Sequence, residues 1–462
     1  MRNFALLTIA AVSTLASAQK QLVFTPYHAT GIYALGDLVG WHVSAAPGDQ
    51  QQHFTYTIKE NNDRLLRAGT LDLSQGAAEI NVRVNEPAML LVRVEPDHPL
   101  TAVEQQATSG PEAGKAPASK PETVLGAAVA PEQFKPAVPA PADFDAFWQS
   151  KLRALEKIPA APELSPVASE SPDVDLYTVK LASLDSHVQG YLAKPARPGK
   201  FPALIVYQWA GVYKLHPEES VKNAEKGWLI FDVDSHDLAP NADTGGPTDY
   251  FKMGASDRET SYFLDMYLRD TRALQYIESR PDWDGKTLVL MGTSMGGQQS
   301  LVTAGLNPGR ISAVLVNEPA GADSNGELHG RQAGYPYWNA QNSAVMKAAL
   351  YFDTVNFAPH ITAPTLIGVG FLDTTAPAAG LFTVYNELAG PKEIVPMLHS
   401  AHNNLTPDKQ GYFLERQRQV LNAAFQDQPL QLKPLSLYEA GRVGEAFAPP
   451  AHPQEPLPGN AP

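Results

Sequence analysis

Cysteine is absent from the 462-residue chain. Its absence excludes disulfide bridges, thiolate metal sites and cysteine nucleophiles, so any covalent catalysis must use another side chain. Basic residues are also scarce, because 35 Lys and Arg stand against 49 Asp and Glu, for a formal net charge of −14. Nucleic acids and anionic membranes both require a basic face. We therefore expect neither as a partner.

Hydrophobic runs long enough to cross a bilayer are absent too. The one candidate lies at the N-terminus, MRNFALLTIAAVSTLASAQK, where a basic residue precedes an apolar stretch over residues 4–15 and the small residues 16–18. A membrane span needs about 20 apolar residues, whereas this order of segments is typical of a cleavable secretory signal. The sequence predicts a signal peptide over residues 1–18, cleavage before Gln19, and a mature protein that is secreted or periplasmic.

A chain of this length exceeds one ordinary compact domain, so we expect two or more. Within residues 19–96, the segments VGWHVSA, HFTYTIKE, EINVRVN and MLLVRVEP alternate apolar with polar residues. Short alternating segments separated by turn residues predict a small β-sandwich of immunoglobulin-like type. Residues 97–130 are rich in Pro, Ala, Gly and Glu and predict a linker. Residues 429–462, again rich in proline, predict a mobile tail.

Residues 131–428 alternate strand-like with helix-like segments. Continuous apolar runs such as PALIVYQW, TLVLMGTS and APTLIGVGFLD have the length of buried parallel strands. Stretches with helical spacing, such as SYFLDMYLRDTRALQYIES, lie between them. LYTVKLAS and VQGYLAKP predict a hairpin. Together these segments predict an α/β domain, a mostly parallel sheet with helices on both faces.

Ser294 stands in GTSMG, which fits the pattern G-x-S-x-G between a predicted strand and a predicted helix. In this context the turn is so tight that it excludes side chains at the glycines and exposes the serine hydroxyl above the sheet. The backbone N–H of Met295 then lies at a helix N-terminus, where it can stabilise an oxyanion. We interpret Ser294 as a nucleophile; an ordinary glycine-rich turn is the alternative.

A nucleophilic serine needs a base and an orienting acid, and in this fold the chain order is Ser, then Asp or Glu, then His. Asp373 ends the last long apolar run and is the predicted acid; capping of the following helix is the alternative. His402 is the predicted base, with His399 in the same segment PMLHSAHNNL as the alternative. We expect the second oxyanion donor after the strand PALIVYQW, at the N–H of Ala210 or else of Trp209.

Several aromatic side chains lie on loops near the predicted strand ends, where they can stack on sugar rings or pack in the core. These residues are Trp209, Tyr213, Tyr335, Tyr337 and Trp338. From this set Trp209, Tyr213 and Trp338 are the candidate substrate contacts, with core packing as the alternative. The loop histidines outside PMLHSAHNNL show no metal-ligand spacing, and we expect neither a metal nor another cofactor.

The second domain resembles acetyl xylan esterases and cephalosporin C deacetylases over about residues 131–427. The resemblance rests on segments in the family's order: PADFDAFWQSKLRALEKI, GYLAKPARPGKFPALIVYQWAG, GWLIFDVD, GTSMGGQ, GFLDTTAPAAGLFTVYNEL and the histidine of AHNN. It implies an α/β-hydrolase that removes acetyl groups from sugars, such as acetylated xylan or xylo-oligosaccharides, without metal. It also implies Ser294 as nucleophile, Asp373 as acid and His402 as base, with the same two backbone oxyanion donors.

Three positions depart from the family's usual pattern. Ser235-His236-Asp237 replaces Arg-Gly-Gln, Met295 replaces the glutamine after the nucleophile, and Asn403 replaces the glutamate after the base histidine. The change at residue 295 concerns a backbone donor and need not harm catalysis, whereas the others put substrate and oligomeric state in question. An oligomer is compatible with the sequence but not assignable from it, because the toroidal hexamer of the family cannot be assumed for a chain with an added N-terminal domain.

The leading hypothesis is a secreted serine esterase that removes acetyl groups from carbohydrate. A peptidase or another carboxylesterase of the same fold is the second hypothesis, and a non-catalytic glycan-binding protein is the third. The intact order of Ser, Asp and His counts against the third. The absence of cysteine excludes a dienelactone hydrolase, since those enzymes share the fold but use a cysteine nucleophile.

Overall fold

The computed structural model describes residues 22–45, 53–97 and 122–439. The predicted signal peptide over residues 1–18 lies outside these ranges, as do most of the predicted linker and the end of the predicted tail. Within the three ranges, no helix is both long enough and apolar enough to span a membrane.

In the part of the chain that the structure describes, the N-terminal domain has two sheets, of three and five strands. The strands within the described residues are β1 (Val23–Pro26), β2 (Ile32–Tyr33), β3 (Leu38–Ser44), β4 (His53–Glu60), β5 (Arg64–Asp72), β6 (Ala77–Arg83), β7 (Ala88–Pro96) and β8 (Thr123–Val129). Their orders are β1-β3-β6 and β2-β8-β7-β4-β5. Every second residue of β4 is buried, as its alternating sequence predicts. The inward residues of both sheets share one core around Trp41 and Ile58, so the predicted β-sandwich is confirmed.

Strand β8 corrects the predicted linker, because it lies within residues 97–130. It pairs with β7 in antiparallel and with β2 in parallel orientation. Its sequence, TVLGAAV, does not alternate because both of its faces are covered. On one face Leu125 and Ala127 join the sandwich core. On the other, a Cβ added to Gly126 would lie 2.8 Å from the Cβ of Phe371 in the second domain. The composition of the proline-rich stretch does not indicate this strand, because the residues of β8 are mostly small.

The second domain is built on a nine-stranded sheet. Its strands are β9 (Glu163–Val167), β10 (Val174–Ala182), β11 (His187–Pro195), β12 (Phe201–Tyr207), β13 (Leu229–Asp234), β14 (Trp283–Thr293), β15 (Ala313–Asn317), β16 (Thr365–Gly370) and β17 (Lys392–Met397). The strand order is β17-β16-β15-β14-β12-β13-β11-β10-β9. Strands β12 to β17 pair in parallel. The predicted hairpin β10–β11 and β9 add antiparallel strands at one edge.

Among the described residues, nine α-helices complete the second domain. They are α1 (Phe144–Glu156), α2 (Pro217–Glu225), α3 (Tyr262–Ser279), α4 (Met295–Leu306), α5 (Ser343–Ala349), α6 (Thr354–Phe357), α7 (Ala378–Glu387), α8 (Pro407–Phe425) and α9 (Leu435–Glu439). Residues 287–293 of β14 are all buried, because helices cover both faces of the sheet. Burial on both faces explains why the central strands appear in the sequence as continuous apolar runs.

Helix α9 corrects the predicted tail, which was expected to be mobile from residue 429. Tyr438 is fully buried, and its hydroxyl donates to Oε1 of Glu393 at 2.6 Å. The guanidinium of Arg416 holds the same carboxylate with two hydrogen bonds of 2.9 and 2.7 Å. The buried side chains of Leu435 and Tyr438 thus anchor residues that proline-rich composition assigned to a tail.

The first prediction concerns this docked helix. We expect Tyr438→Ala to lower the free energy of unfolding of the second domain by about 3–5 kcal/mol, the usual cost of truncating a buried aromatic side chain. Tyr438→Phe keeps the ring and removes only the hydrogen bond to a charged acceptor, which is worth about 1.5–3 kcal/mol. Chemical denaturation of the three proteins measures both values. Equal stability of wild type and Tyr438→Ala would contradict the docking of α9.

Candidate active site

Ser294 joins the end of β14 to the start of α4. Its backbone adopts φ 55° and ψ −121°, a conformation that costs an L-residue about 1–3 kcal/mol. The Ser294 N–H donates to the carbonyl of Asn317 at 3.0 Å, and the Ser294 carbonyl accepts from the N–H groups of Gln298 and Ala320 at 3.0 and 2.9 Å. Hydrogen bonds to two neighbouring elements therefore hold the strained turn in place.

The glycines around Ser294 permit backbone contacts that no other residue allows. A Cβ on Gly296 would lie 2.1 Å from the carbonyl oxygen of Tyr207, at the end of β12. A Cβ on Gly292 would lie 2.2 Å from the carbonyl carbon of Gly296. The G-x-S-x-G pattern thus lets the first turn of α4 pack directly against the end of the neighbouring strand.

The structure brings Ser294, His402 and Asp373 into one hydrogen-bonded series. Ser294 Oγ lies 2.8 Å from His402 Nε2, and His402 Nδ1 lies 2.7 Å from Asp373 Oδ2. The other carboxylate oxygen of Asp373 accepts the N–H groups of Thr375 and Ala376, both at 2.8 Å. Because a carboxylate accepts, Nδ1 carries the proton. Nε2 is then free to accept the proton of the serine hydroxyl.

His402 lies in the loop between β17 and α8. Burial of the imidazole acts to lower its pKa, but the hydrogen bond and charge of Asp373, together with the charge of Glu318, outweigh burial and raise the pKa. The side chain of His399, the alternative base in the sequence, is exposed. The hydrogen bond to Ser294 thus distinguishes the two histidines in favour of His402.

Glu318 is a residue of this site that the sequence analysis missed. It directly follows β15, is fully buried, and lies with Oε2 at 3.9 Å from His402 Nδ1. Burial and the charge of Asp373 raise the pKa of Glu318 to about 8. An acidic residue immediately after a buried parallel strand, in VLVNEP, was the available signal.

Two carboxylates and one imidazole therefore meet at this edge of the sheet. Glu318, Asp373 and His402 each offer one ligand atom within 4.8 Å of the others, a spacing that metal ions also use. A metal ion there would compete for His402 Nδ1, which already donates to Asp373. The chemistry that the arrangement supports directly is proton transfer from Ser294 to His402.

The two predicted oxyanion donors lie on adjacent elements. Met295 is the first residue of α4, so its N–H has no carbonyl in a preceding helical turn. Ala210 lies in the loop after β12 and shares an apolar cluster with Met295.

The loop is held at Gly211, the residue after Ala210. The hydroxyl of Tyr250 lies 3.3 Å from the Gly211 N–H nitrogen and accepts from it, and Nε2 of His236 lies 3.0 Å from the Gly211 carbonyl oxygen. Burial, followed by the charge of a nearby arginine, lowers the pKa of His236 to about 4, so the ring is neutral.

The candidate aromatic contacts divide into two groups. Trp209 and Tyr213 are half-buried, with ring centroids 5.7 Å apart. Trp338 is only 8% exposed and packs edge-to-face on a core phenylalanine. Core packing, the alternative that the sequence left open, is therefore the role of Trp338. The adjacent Tyr337 is 52% exposed, and its hydroxyl lies 3.4 Å from that of Thr375 in the loop that carries the acid.

The N-terminal domain contacts the loop that carries Asp373. The side chain of Asn62, in the turn between β4 and β5, donates to Gln332 Oε1 at 2.5 Å. Gln332 in turn donates its N–H to the carbonyl of Asn61 at 2.9 Å and its side-chain amide to the carbonyl of Thr374 at 2.6 Å. The β-sandwich is thus linked to the acid loop through one bridging glutamine.

The second prediction tests the close approach at Gly296. Gly296→Ala is expected to lower the free energy of unfolding by about 3 kcal/mol or more, because the added Cβ would clash with the backbone carbonyl of Tyr207, which cannot move without disturbing β12. Gly285→Ala is the matched control, since Gly285 has φ +83° but nothing within 4 Å of an added Cβ. It is expected to cost only about 1–2 kcal/mol of backbone strain. Chemical denaturation compares the two, and equal losses would contradict the packing at the turn.

Residues 131–417 match the family model for acetyl xylan esterase (AXE1). The chain is also 30% identical over 388 residues to "Acetyl esterase Axe7A" of Xylanibacter ruminicola, and the match covers 80% of this chain and 83% of that protein. This match is longer than the second domain and includes part of the N-terminal domain.

Solved structures show the same fold. An acetyl xylan esterase from Paenibacillus sp. R4 matches with a TM-score of 0.56 at 25% identity, over 63% of this chain and 98% of the other. Acetyl xylan esterase 1 from Thermoanaerobacterium sp. JW/SL YS485 matches with a TM-score of 0.52 at 21% identity, over 59% and 92%. The predicted α/β-hydrolase fold is confirmed. The chain belongs to the acetyl xylan esterase family and is a carboxylic ester hydrolase.

Proposed function

We propose that the protein removes acetyl groups from carbohydrate, such as acetylated xylan or its oligosaccharides, through an acyl-enzyme formed on Ser294. The observation that carries the proposal is the unbroken series Ser294–His402–Asp373, with hydrogen bonds of 2.8 and 2.7 Å. The names of two relatives, an acetyl esterase and an acetyl xylan esterase, support acetyl as the acyl group and a sugar as the alcohol.

In the first half-reaction Ser294 Oγ attacks the carbonyl carbon of the acetyl ester while its proton moves to His402 Nε2. Asp373 keeps the Nδ1 proton in place and stabilises the imidazolium that forms. The N–H groups of Met295 and Ala210 stabilise the negative oxygen of the tetrahedral intermediate. When the intermediate collapses, His402 returns the proton to the departing sugar oxygen and leaves an acetylated Ser294.

In the second half-reaction a water molecule attacks the acetyl group on Ser294. His402 accepts a proton from the water and later returns it to Ser294 Oγ, so that acetate leaves and the resting site is restored. Every step uses the same two hydrogen bonds, because the base acts twice and Asp373 fixes its orientation both times.

The proposed sugar contacts lie around the two oxyanion donors. Trp209 directly precedes Ala210, and the ring of Tyr213 lies beside it, so both can offer a face to a sugar ring. Tyr337 offers a third, exposed ring on the side of the acid loop. The signal peptide predicted from the sequence supports a secreted or periplasmic location, where the enzyme would encounter polysaccharide or its fragments.

The third prediction tests the nucleophile. Ser294→Ala is expected to reduce kcat by roughly a thousandfold or more on both acetylated xylan and 4-nitrophenyl acetate, since no other group can form the acyl-enzyme. Acetate release from both substrates is the measurement. Ser300→Ala is the matched control, because Ser300 is a buried serine of α4 whose hydroxyl donates to the helix carbonyl of Gly296.

Each result of this assay has a distinct meaning. Loss on both substrates in Ser294→Ala alone supports the proposal. Wild-type activity on the small ester but not on acetylated xylan would keep the mechanism and change the natural substrate. Full activity of Ser294→Ala would refute the assignment of the nucleophile.

The fourth prediction is a pH dependence. Only neutral His402 can accept a proton, and its raised pKa keeps the imidazole protonated to a higher pH than usual. We therefore expect kcat/KM to fall on acidification with a midpoint above 6.5, the ordinary histidine value. Initial rates with 4-nitrophenyl acetate across the pH range measure this midpoint. A midpoint below 6.5 would contradict the pairing of His402 with buried carboxylate.

A further inference from the structure

We propose that Glu318 is a second carboxylate of the His402 site, which fixes the loop that carries the imidazole and shares the imidazolium charge with Asp373. This proposal deepens the mechanism above and rests on the roles given there to Ser294 and His402. Glu318 acts through His402 and contacts no substrate atom in that mechanism, so it is a positioning residue.

The backbone places Glu318 where three strand ends meet. It follows β15, between the strands that lead to Ser294 and to Asp373, and its own φ is 45°. A Cβ on Gly370, the last residue of β16, would lie 2.6 Å from Glu318 Oε1. A glycine at this strand end therefore leaves the room that the carboxylate occupies.

The Glu318 carboxylate joins both ends of the base loop to the sheet. Its Oε2 accepts the N–H of Asn403 at 2.7 Å. Its Oε1 accepts the side-chain amide of Gln410 at 2.9 Å and lies 3.1 Å from the hydroxyl of Ser400. Ser400 and Asn403 bracket His402, and Gln410 belongs to the first turns of α8. One buried side chain therefore determines where the imidazole sits.

Hydrogen bonding alone does not require a charge at this position. A glutamine could accept from Asn403 and donate to Ser400 once the amide of Gln410, which donates to Oε1, has turned over. What a glutamine would lack is a group beside His402 that can ionise. The titratable groups that face Glu318 are Asp373, which opposes its ionisation, and His402, which favours it. When Ser294 transfers its proton, Nδ1 of the imidazolium faces the carboxyl groups of both Asp373 and Glu318, with oxygens at 2.7 and 3.9 Å.

The closeness of the second carboxylate has a measurable consequence for the base. In a buried site an opposite charge at this distance raises the pKa of an imidazole by about one unit or more. The pKa of Glu318 is raised to about 8, so this carboxyl is neutral on the acid side of the profile and gains its charge near pH 8. In wild type we therefore expect a second inflection of kcat/KM near pH 8, where the ionised Glu318 stabilises the imidazolium. Glu318→Gln is expected to abolish that inflection and to leave the acid midpoint in place.

Asp353→Asn is the matched control for this variant. Asp353 is a fully buried carboxylate with a pKa raised to about 7 by burial and the charge of Asp323, and it accepts three backbone N–H groups. Its loss removes a comparable buried carboxyl group without touching His402. A second inflection that persists in Asp353→Asn and is lost in Glu318→Gln would support the proposal. Identical pH profiles of wild type and Glu318→Gln would overturn the sharing of charge.

A second readout does not depend on turnover. In Ser294→Ala protein, nitrogen NMR of His402 follows its protonation directly, and coupled ionisation of Glu318 is expected to give a titration with two inflections. This experiment keeps Glu318, so it can be carried out even if Glu318→Gln does not fold. A single inflection would overturn the proposal.

Removal of Asp373 tests whether Glu318 can replace it as the acceptor of the Nδ1 proton of His402. In Asp373→Ala the Nδ1–H can turn to Glu318, so we expect residual activity that a further Glu318→Gln change lowers at least tenfold. Glu318→Gln in the wild-type background is expected to cost less than that. Identical rates for Asp373→Ala and the double variant would count against the proposal. Failure of the proposed function is seen separately, as full activity in Ser294→Ala.

Discussion

The strained backbone of Ser294 is the constraint on which the rest of the site depends. Its conformation, φ 55° and ψ −121°, is held by the packing of Gly296 on the carbonyl of Tyr207 and by hydrogen bonds to the end of β15 and the loop after it. Such strain costs about 1–3 kcal/mol and needs surroundings that leave no alternative. The fully buried strands at the centre of the sheet supply those surroundings. They bring the serine, the acid and the base to one edge.

At that edge the dominant physical problem is buried charge. Asp373 and Glu318 are both deeply buried carboxylates, and each would be costly without partners. Backbone N–H groups satisfy one oxygen of Asp373, and donors from the base loop and α8 satisfy Glu318. His402 lies between them and balances their charge when it accepts a proton. The same contacts that hold the loop therefore also set the basicity of the imidazole.

Much of the fold and most of the site follow from local sequence patterns. Alternation predicts the sandwich strands, continuous apolar runs predict the parallel strands, and chain order predicts Ser294, Asp373 and His402. What local patterns missed depends on distant contacts. Strand β8 and helix α9 are short, and burial against remote residues stabilises both. Glu318 joins the site through partners 82 to 92 residues away. Trp338 and Tyr337 are neighbours in sequence, and only tertiary packing decides which one is exposed.

The proposed mechanism requires a covalent acetyl-enzyme on Ser294. Its most direct test is mass spectrometry of enzyme quenched with acid during turnover of 4-nitrophenyl acetate, followed by proteolysis and peptide mapping. We expect an acetyl group on the peptide that contains Ser294, and none on that peptide in Ser294→Ala. Acetylation of a different residue, or turnover with no acetylated peptide under conditions that trap the intermediate, would contradict it.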